Sequence, residues 1–186
     1  MIRELYIDDY IIVLGTNENT YYDEYEKILN LNCNDLYEGL PEKILKTFKF
    51  CVEDSRLKEY THFIKLDDDC NVIKNIPKNI FKNLKYGGII ETKKGDNTWH
   101  IGKCTNESYY STNFYNGTFV PWCRGGNGYI LSRYAINLIK NDQNYYREIY
   151  EDLYIAKLLF KYKIYPKNLN KILTLYIENN NHEIKK

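Results

Sequence analysis

The sequence predicts an α/β fold, with a central mixed sheet lying between helices. Three observations point to it. Short β-branched runs alternate with stretches of helical periodicity, no repeat or low-complexity linker divides the chain, and 186 residues with 44% hydrophobic content suffice for one sizeable core. Residues 1–186 are therefore read as a single domain.

Taken in order, Tyr10 to Leu14 (YIIVL) is a buried strand leaving into a loop at Gly15. From Tyr21, the pattern YYDEYEKIL reads as an amphipathic helix. A second helix follows Pro41, which suits a first helical turn. His62 to Leu66 (HFIKL) is a strand that runs directly into Asp67, Asp68 and Asp69. Around Pro77 a loop and short helix are expected, then a strand at Gly87 to Ile90. Thr92 to Thr118 is polar and aromatic, and reads as hairpins and loops. Gly125, Gly126 and Gly128 form a turn between Phe119–Cys123 and the apolar YILS, which leads into a helix, RYAINLIKN. Glu151 to Tyr162 is strongly helical and starts with two acids. Ile172 to Ile177 is the last strand expected, and the tail beyond Asn179 is polar.

Charge and composition exclude some functions. Lys and Arg number 26 against 25 Asp and Glu, so a net charge of +1 provides no general field for nucleic acid or an anionic membrane. The longest apolar runs fall short of the roughly 20 residues a spanning helix needs. With neither such a run nor a signal-peptide pattern at Met1–Glu4, a cytoplasmic protein of a microbial or viral system is expected. Five singly spaced cysteines, Cys33, Cys51, Cys70, Cys104 and Cys123, predict buried thiols rather than a zinc site. The 20 tyrosines agree with AT-rich codon usage, and they also suit a cleft that stacks sugars.

Two acidic segments could carry chemistry. Three successive carboxylates at a strand end repel one another unless a cation or hydrogen-bond donors compensate. Two such oxygens, with water and a diphosphate completing the shell, suit Mg²⁺ or Mn²⁺; a solvated acidic turn is the plain alternative. An EF-hand is excluded, because Val72 stands where its glycine belongs and Lys78 where its glutamate belongs. Glu151 and Asp152 either complement the helix dipole or place a general base at a sugar hydroxyl. The glycines lack dinucleotide-fingerprint spacing, so they serve tight packing or close ligand approach. His62 and His100 read as structural residues in strands, and His182 as a residue of the polar tail.

Three segments, YTHFIKLDDDCNV, FVPWCRGGNGYILSRYAINLI and YEDLYIAKLL, resemble in order and spacing three motifs of the β-1,3-galactosyltransferase and fringe group, glycosyltransferase family 31. Weaker similarity reaches back to Asp35–Leu40 and Lys43–Lys46, so the resemblance spans about Asn32 to Tyr165. It implies a GT-A type nucleotide-sugar-binding fold. It further implies inverting transfer of a hexose or N-acetylhexosamine from a UDP-sugar to a glycan hydroxyl, with Mn²⁺ or Mg²⁺ and a β-1,3-type product.

By position, the resemblance makes Asp152 the catalytic base. Asp69, with Asp67, falls to the metal, and His182 is a third metal ligand. Asp67, Asp68, Gly125, Gly126 and Glu151 fall to the donor and its diphosphate. No counterpart of the family's early R-x-x-I-R-x-T-W segment is found, and Ala156 replaces the glycine of E-D-V-Y-x-G. Two other functions compete: a non-catalytic carbohydrate-binding scaffold, and a metal-dependent phosphodiesterase or nuclease, which near-neutral charge does not favour.

Overall fold

The computed structural model describes residues 9–92 and 96–179. The chain begins with β1 (Ile12–Thr16), β2 (Tyr21–Asp23) and β3 (Ile28–Asn32), which form a three-stranded sheet in the order β1-β3-β2. The helix expected from Tyr21 is therefore corrected to a hairpin. The Asp23 carboxylate accepts from the backbone N–H groups of Tyr25 and Glu26, both at 3.0 Å, and Lys27 takes a left-handed backbone with φ 57°. These two features turn the chain back on itself. Leu29 and Leu31, two residues apart, are buried on one face as strand periodicity requires.

The helix after Pro41 is present as α1 (Leu40–Glu53), with Pro41 in its first turn. Pro41, Leu45, Phe48 and Cys51 are its buried stripe, at the spacing of one helical face. Next come β4 (His62–Lys65), β5 (Cys70–Val72), a 3₁₀ turn at Lys78–Phe81, β6 (Tyr86–Gly88) and β7 (Ile90–Glu91). No strand forms in 96–118; the hairpins expected there are instead turns and one 3₁₀ segment, Tyr109–Ser111. Then follow β8 (Trp122–Cys123), β9 (Tyr129–Ser132), α2 (Arg133–Ile139), α3 (Glu151–Lys161), β10 (Lys167–Asn168), α4 (Asn170–Leu173) and β11 (Ile177–Asn179).

Four of these strands make a mixed sheet in the order β10-β6-β9-β4, with β10 parallel to β6 and β9 antiparallel to both its neighbours. Every residue of β9 is buried because both faces of this sheet are covered. Tyr129 and Leu131 pack with Leu45 and Phe48 of α1, Ile136 of α2 and Leu153 of α3. Ile130 turns the other way, onto Leu84, Leu169, Leu173 and Ile177. The expected mixed sheet is present, but α1, α2 and α3 all lie on one face, the other being covered by the one-turn α4 and the β5–β11 pair, and the first strand lies outside it, in the N-terminal sheet. The strand expected at Ile172–Ile177 is also revised. Leu173 ends a helical turn, and strand pairing starts only at Ile177, opposite Val72.

Cys33, Cys51, Cys70 and Cys123 are buried free thiols and Cys104 is half-buried. Among the described residues no helix is long and apolar enough to cross a membrane.

Candidate functional site

Strand β4 carries its side chains alternately, so Ile64 and Leu66 join the core around Ile130 while Lys65 faces α3. Lys65 is the centre of the site. Its ammonium donates to Asp67 two residues on and to Glu151 Oε1 at 2.9 Å, and it stands 5.9 Å from the centre of the Tyr129 ring. The Tyr129 hydroxyl donates to the other Glu151 oxygen at 2.9 Å. Lys65 and Glu151 side chains are only 10% and 9% exposed, whereas Asp67 is 37% exposed and opens to solvent. Burial pulls the Lys65 pKa down, but the charges of Glu151 and Asp67 outweigh it and hold the ammonium above its ordinary value. The lysine stays charged, and it ties the first acidic segment to the second.

Asp152 is held by backbone donors. Its Oδ2 accepts from Gly125 N–H at 2.8 Å and its Oδ1 from Leu153 N–H at 2.7 Å, the latter an N-terminal helix donor with no intrahelical partner. The residue is half-buried and borders the cleft of the site. Burial, with the neighbouring Glu151 charge, pushes its pKa up to about 6; the two N–H donors and Lys65 pull the other way. A carboxylate poised there is ionised at neutral pH and basic enough to accept a proton.

The glycine turn explains why this contact exists. A Cβ on Gly125 would lie 2.5 Å from Glu151 Oε1 and 3.3 Å from Lys65 Nζ, so only glycine brings its N–H to Asp152. At Gly128, φ is +76° and a Cβ would meet Leu66 Cδ2 at 2.6 Å, directly before the three acids. The Cys70 thiol reaches the carbonyl of Gly126 at 3.4 Å and the Asp69 carboxylate at 3.8 Å.

One cleft of about 2440 Å³ is bordered by Asp67, Asp68, Asp69, Gly125, Gly126, Glu151 and Asp152. These residues, singled out in the sequence, are thus brought together; Asp68 is the most open of the three acids. His182 lies outside the described residues. Among those described, no group of three His, Cys, Asp or Glu is disposed to hold a metal ion. Asp67 and Asp69 could contribute one or two oxygens to an ion whose remaining ligands come from a diphosphate and water, a donor set that fits Mg²⁺ or Mn²⁺.

His62 is structural, its ring meeting Thr61 Oγ1 and the Leu84 carbonyl, both at 2.9 Å. His100 is structural too, but in a turn rather than a strand. Ala156 is 2% exposed and sits within the helical core, so its extra methyl faces packing rather than the cleft. The roles of Lys65 and Tyr129 emerge only in the folded structure. The signal for Lys65 was a cation alone in an apolar strand, two residues before an acid.

A comparison with individual curated proteins found no match. A family comparison did: the profile described as galactosyltransferase matches residues 11–170, beyond both ends of the segments that carried the resemblance. Family membership supports a glycosyltransferase, which acts on a sugar donor and a glycan acceptor. With the match covering most of its length, this chain belongs to the galactosyltransferase family, glycosyltransferase family 31.

Proposed function

We propose that this protein is an inverting glycosyltransferase that moves a hexose or N-acetylhexosamine from a UDP-sugar to a glycan hydroxyl, forming a β-1,3-type linkage. The observation that carries the reading is Asp152, a carboxylate bordering the cleft with its pKa near 6, fixed by two backbone donors beside a second acidic segment. The mixed α/β architecture, with the acids just beyond a strand end, is compatible with a GT-A type fold.

On this reading Asp152 takes the proton of the acceptor hydroxyl as that oxygen attacks the anomeric carbon. The bond to the diphosphate breaks on the opposite face, which gives inversion. Asp69 and Asp67 would hold Mn²⁺ or Mg²⁺, which when bound neutralises charge on the departing diphosphate. Lys65 holds Asp67 and Glu151 in register, so the donor-side acids and the base keep one spacing. The Gly125–Gly128 turn lets backbone rather than side chain approach the donor.

Replacing Asp152 with Asn is expected to leave UDP-sugar affinity, measured by calorimetry with Mn²⁺, within about twofold of wild type. Transfer should fall by about 10²- to 10⁴-fold, the usual contribution of a general base. Transfer that survives in Asp152→Asn removes this residue from the role. No binding of any UDP-sugar by the wild type would instead favour a carbohydrate-binding scaffold.

A further inference from the structure

Trp99 is the largest aromatic side chain the described structure leaves open, at 62% exposure, and it borders the same cleft as Asp152. An indole facing water is ordinarily explained by a mobile loop, but this one stands on a pinned turn. His100, beside it, is fully buried and bridges the Tyr150 hydroxyl at 2.7 Å and the Asn113 carbonyl at 2.9 Å. The Tyr150 hydroxyl also lies 2.8 Å from the Asp96 carbonyl. Tyr150 immediately precedes Glu151 and Asp152, so the Trp99 turn is fastened to the very start of α3.

A second tie fixes the other side. Thr105 donates through both its hydroxyl and its N–H to the Glu38 carboxylate, next to Tyr37. Lys103 bridges the two aromatics: its ammonium lies 3.6 Å from the Trp99 ring centre and 5.5 Å from that of Tyr37. Desolvation holds this lysine's pKa below its ordinary value, and among the described residues no carboxylate pairs with it. Tyr37 in turn feels the charge of Asp152.

We propose that Trp99, Lys103 and Tyr37 form an acceptor subsite that binds a neutral pyranose ring, the indole taking its C–H face and the ammonium its hydroxyls. An aromatic face packs against sugar C–H groups while nearby donors fix orientation, and here both face the same cleft as the base. The subsite deepens the transferase reading and rests on it only for the name acceptor. Its binding can be measured without turnover.

Methyl β-D-galactoside, methyl β-D-glucoside and methyl N-acetyl-β-D-glucosaminide are titrated into the full chain with UDP and Mn²⁺, followed by saturation-transfer NMR. Wild type should bind at least one of them. Trp99→Ala should bind it about tenfold more weakly, as loss of a stacked aromatic contact implies, while Trp99→Phe recovers most of the affinity. Lys103→Met should weaken it to a smaller degree. UDP affinity and circular dichroism should be unchanged in all three. Equal affinity in wild type and Trp99→Ala, or no glycoside bound by wild type, overturns the subsite. Glycoside binding that depends on Trp99, in a protein that turns over no UDP-sugar, keeps the subsite and removes the transferase reading.

Discussion

Asp152 combines two pressures at one carboxylate: burial beside Glu151 favours the protonated form, and backbone N–H groups favour the ionised one. The first prevails, leaving the pKa near 6 rather than the ordinary value close to 4. Two pH effects follow with opposite senses. Transfer needs the ionised base, so kcat/KM should rise through about pH 6 and the acid limb should vanish in Asp152→Asn. Stability runs the other way. A raised folded pKa stabilises the fold fully below the unfolded value and loses that contribution as pH rises through about 6. Melting curves between pH 4 and pH 8 should show the wild type losing ground to Asp152→Asn over that window.

Lys65 is the other decisive residue. Its removal leaves the buried Glu151 carboxylate, among the described residues, with the Tyr129 hydroxyl alone. Lys65→Met should therefore destabilise by about 3–5 kcal/mol, as loss of one partner of a buried pair does. Adding Glu151→Gln should recover a good part of that, because it removes the stranded charge. Urea unfolding of the two single variants and the double variant measures the coupling.

At the scale of elements, the glycine turn acts as a spacer between β4 and α3. Gly125→Ala would push a methyl against Glu151 Oε1 and draw its N–H away from Asp152. Activity should fall at least tenfold, with UDP-sugar affinity weakened as well because the same turn approaches the donor, and kinetic assays of the purified variant with calorimetry would read both. The elements misread from sequence share a cause. Tyr21 to Leu29 shows apolar residues at spacings that satisfy a helix, yet the Asp23 turn and the pairing of β3 with β1 decide for strands. Likewise, Ile172–Ile177 is apolar enough for a strand, but only Ile177 has a partner strand to meet. Pattern identifies buried residues more surely than the element that buries them.

Across the whole molecule, acids separated by more than 80 positions meet because β9 lies between β4 and β6, with α3 packed across its Tyr129 face. A ligand that bridges both acidic segments should therefore stabilise the entire domain. UDP-sugar with Mn²⁺ at 100 times its Kd should add about 2.7 kcal/mol, seen as a raised Tm, and Asp69→Ala should abolish the increment. Heating with UDP-sugar alone and with Mn²⁺ alone separates nucleotide binding from metal binding.

The sequence by itself determined the α/β class, α1 and α3, the strand that delivers Asp67 to Asp69, and the family, because each is written in local spacing or in a continuous motif. It also marked the acids and glycines as a set. Tertiary structure alone decided that Lys65 joins the two acidic segments, that Gly125 lends its N–H to Asp152, and that the N-terminal strand forms a sheet of its own. It also fastened Trp99 to the start of the base helix through His100. These are contacts between residues far apart in the chain, and their energies depend on burial and on which charges face one another. Local periodicity carries neither quantity.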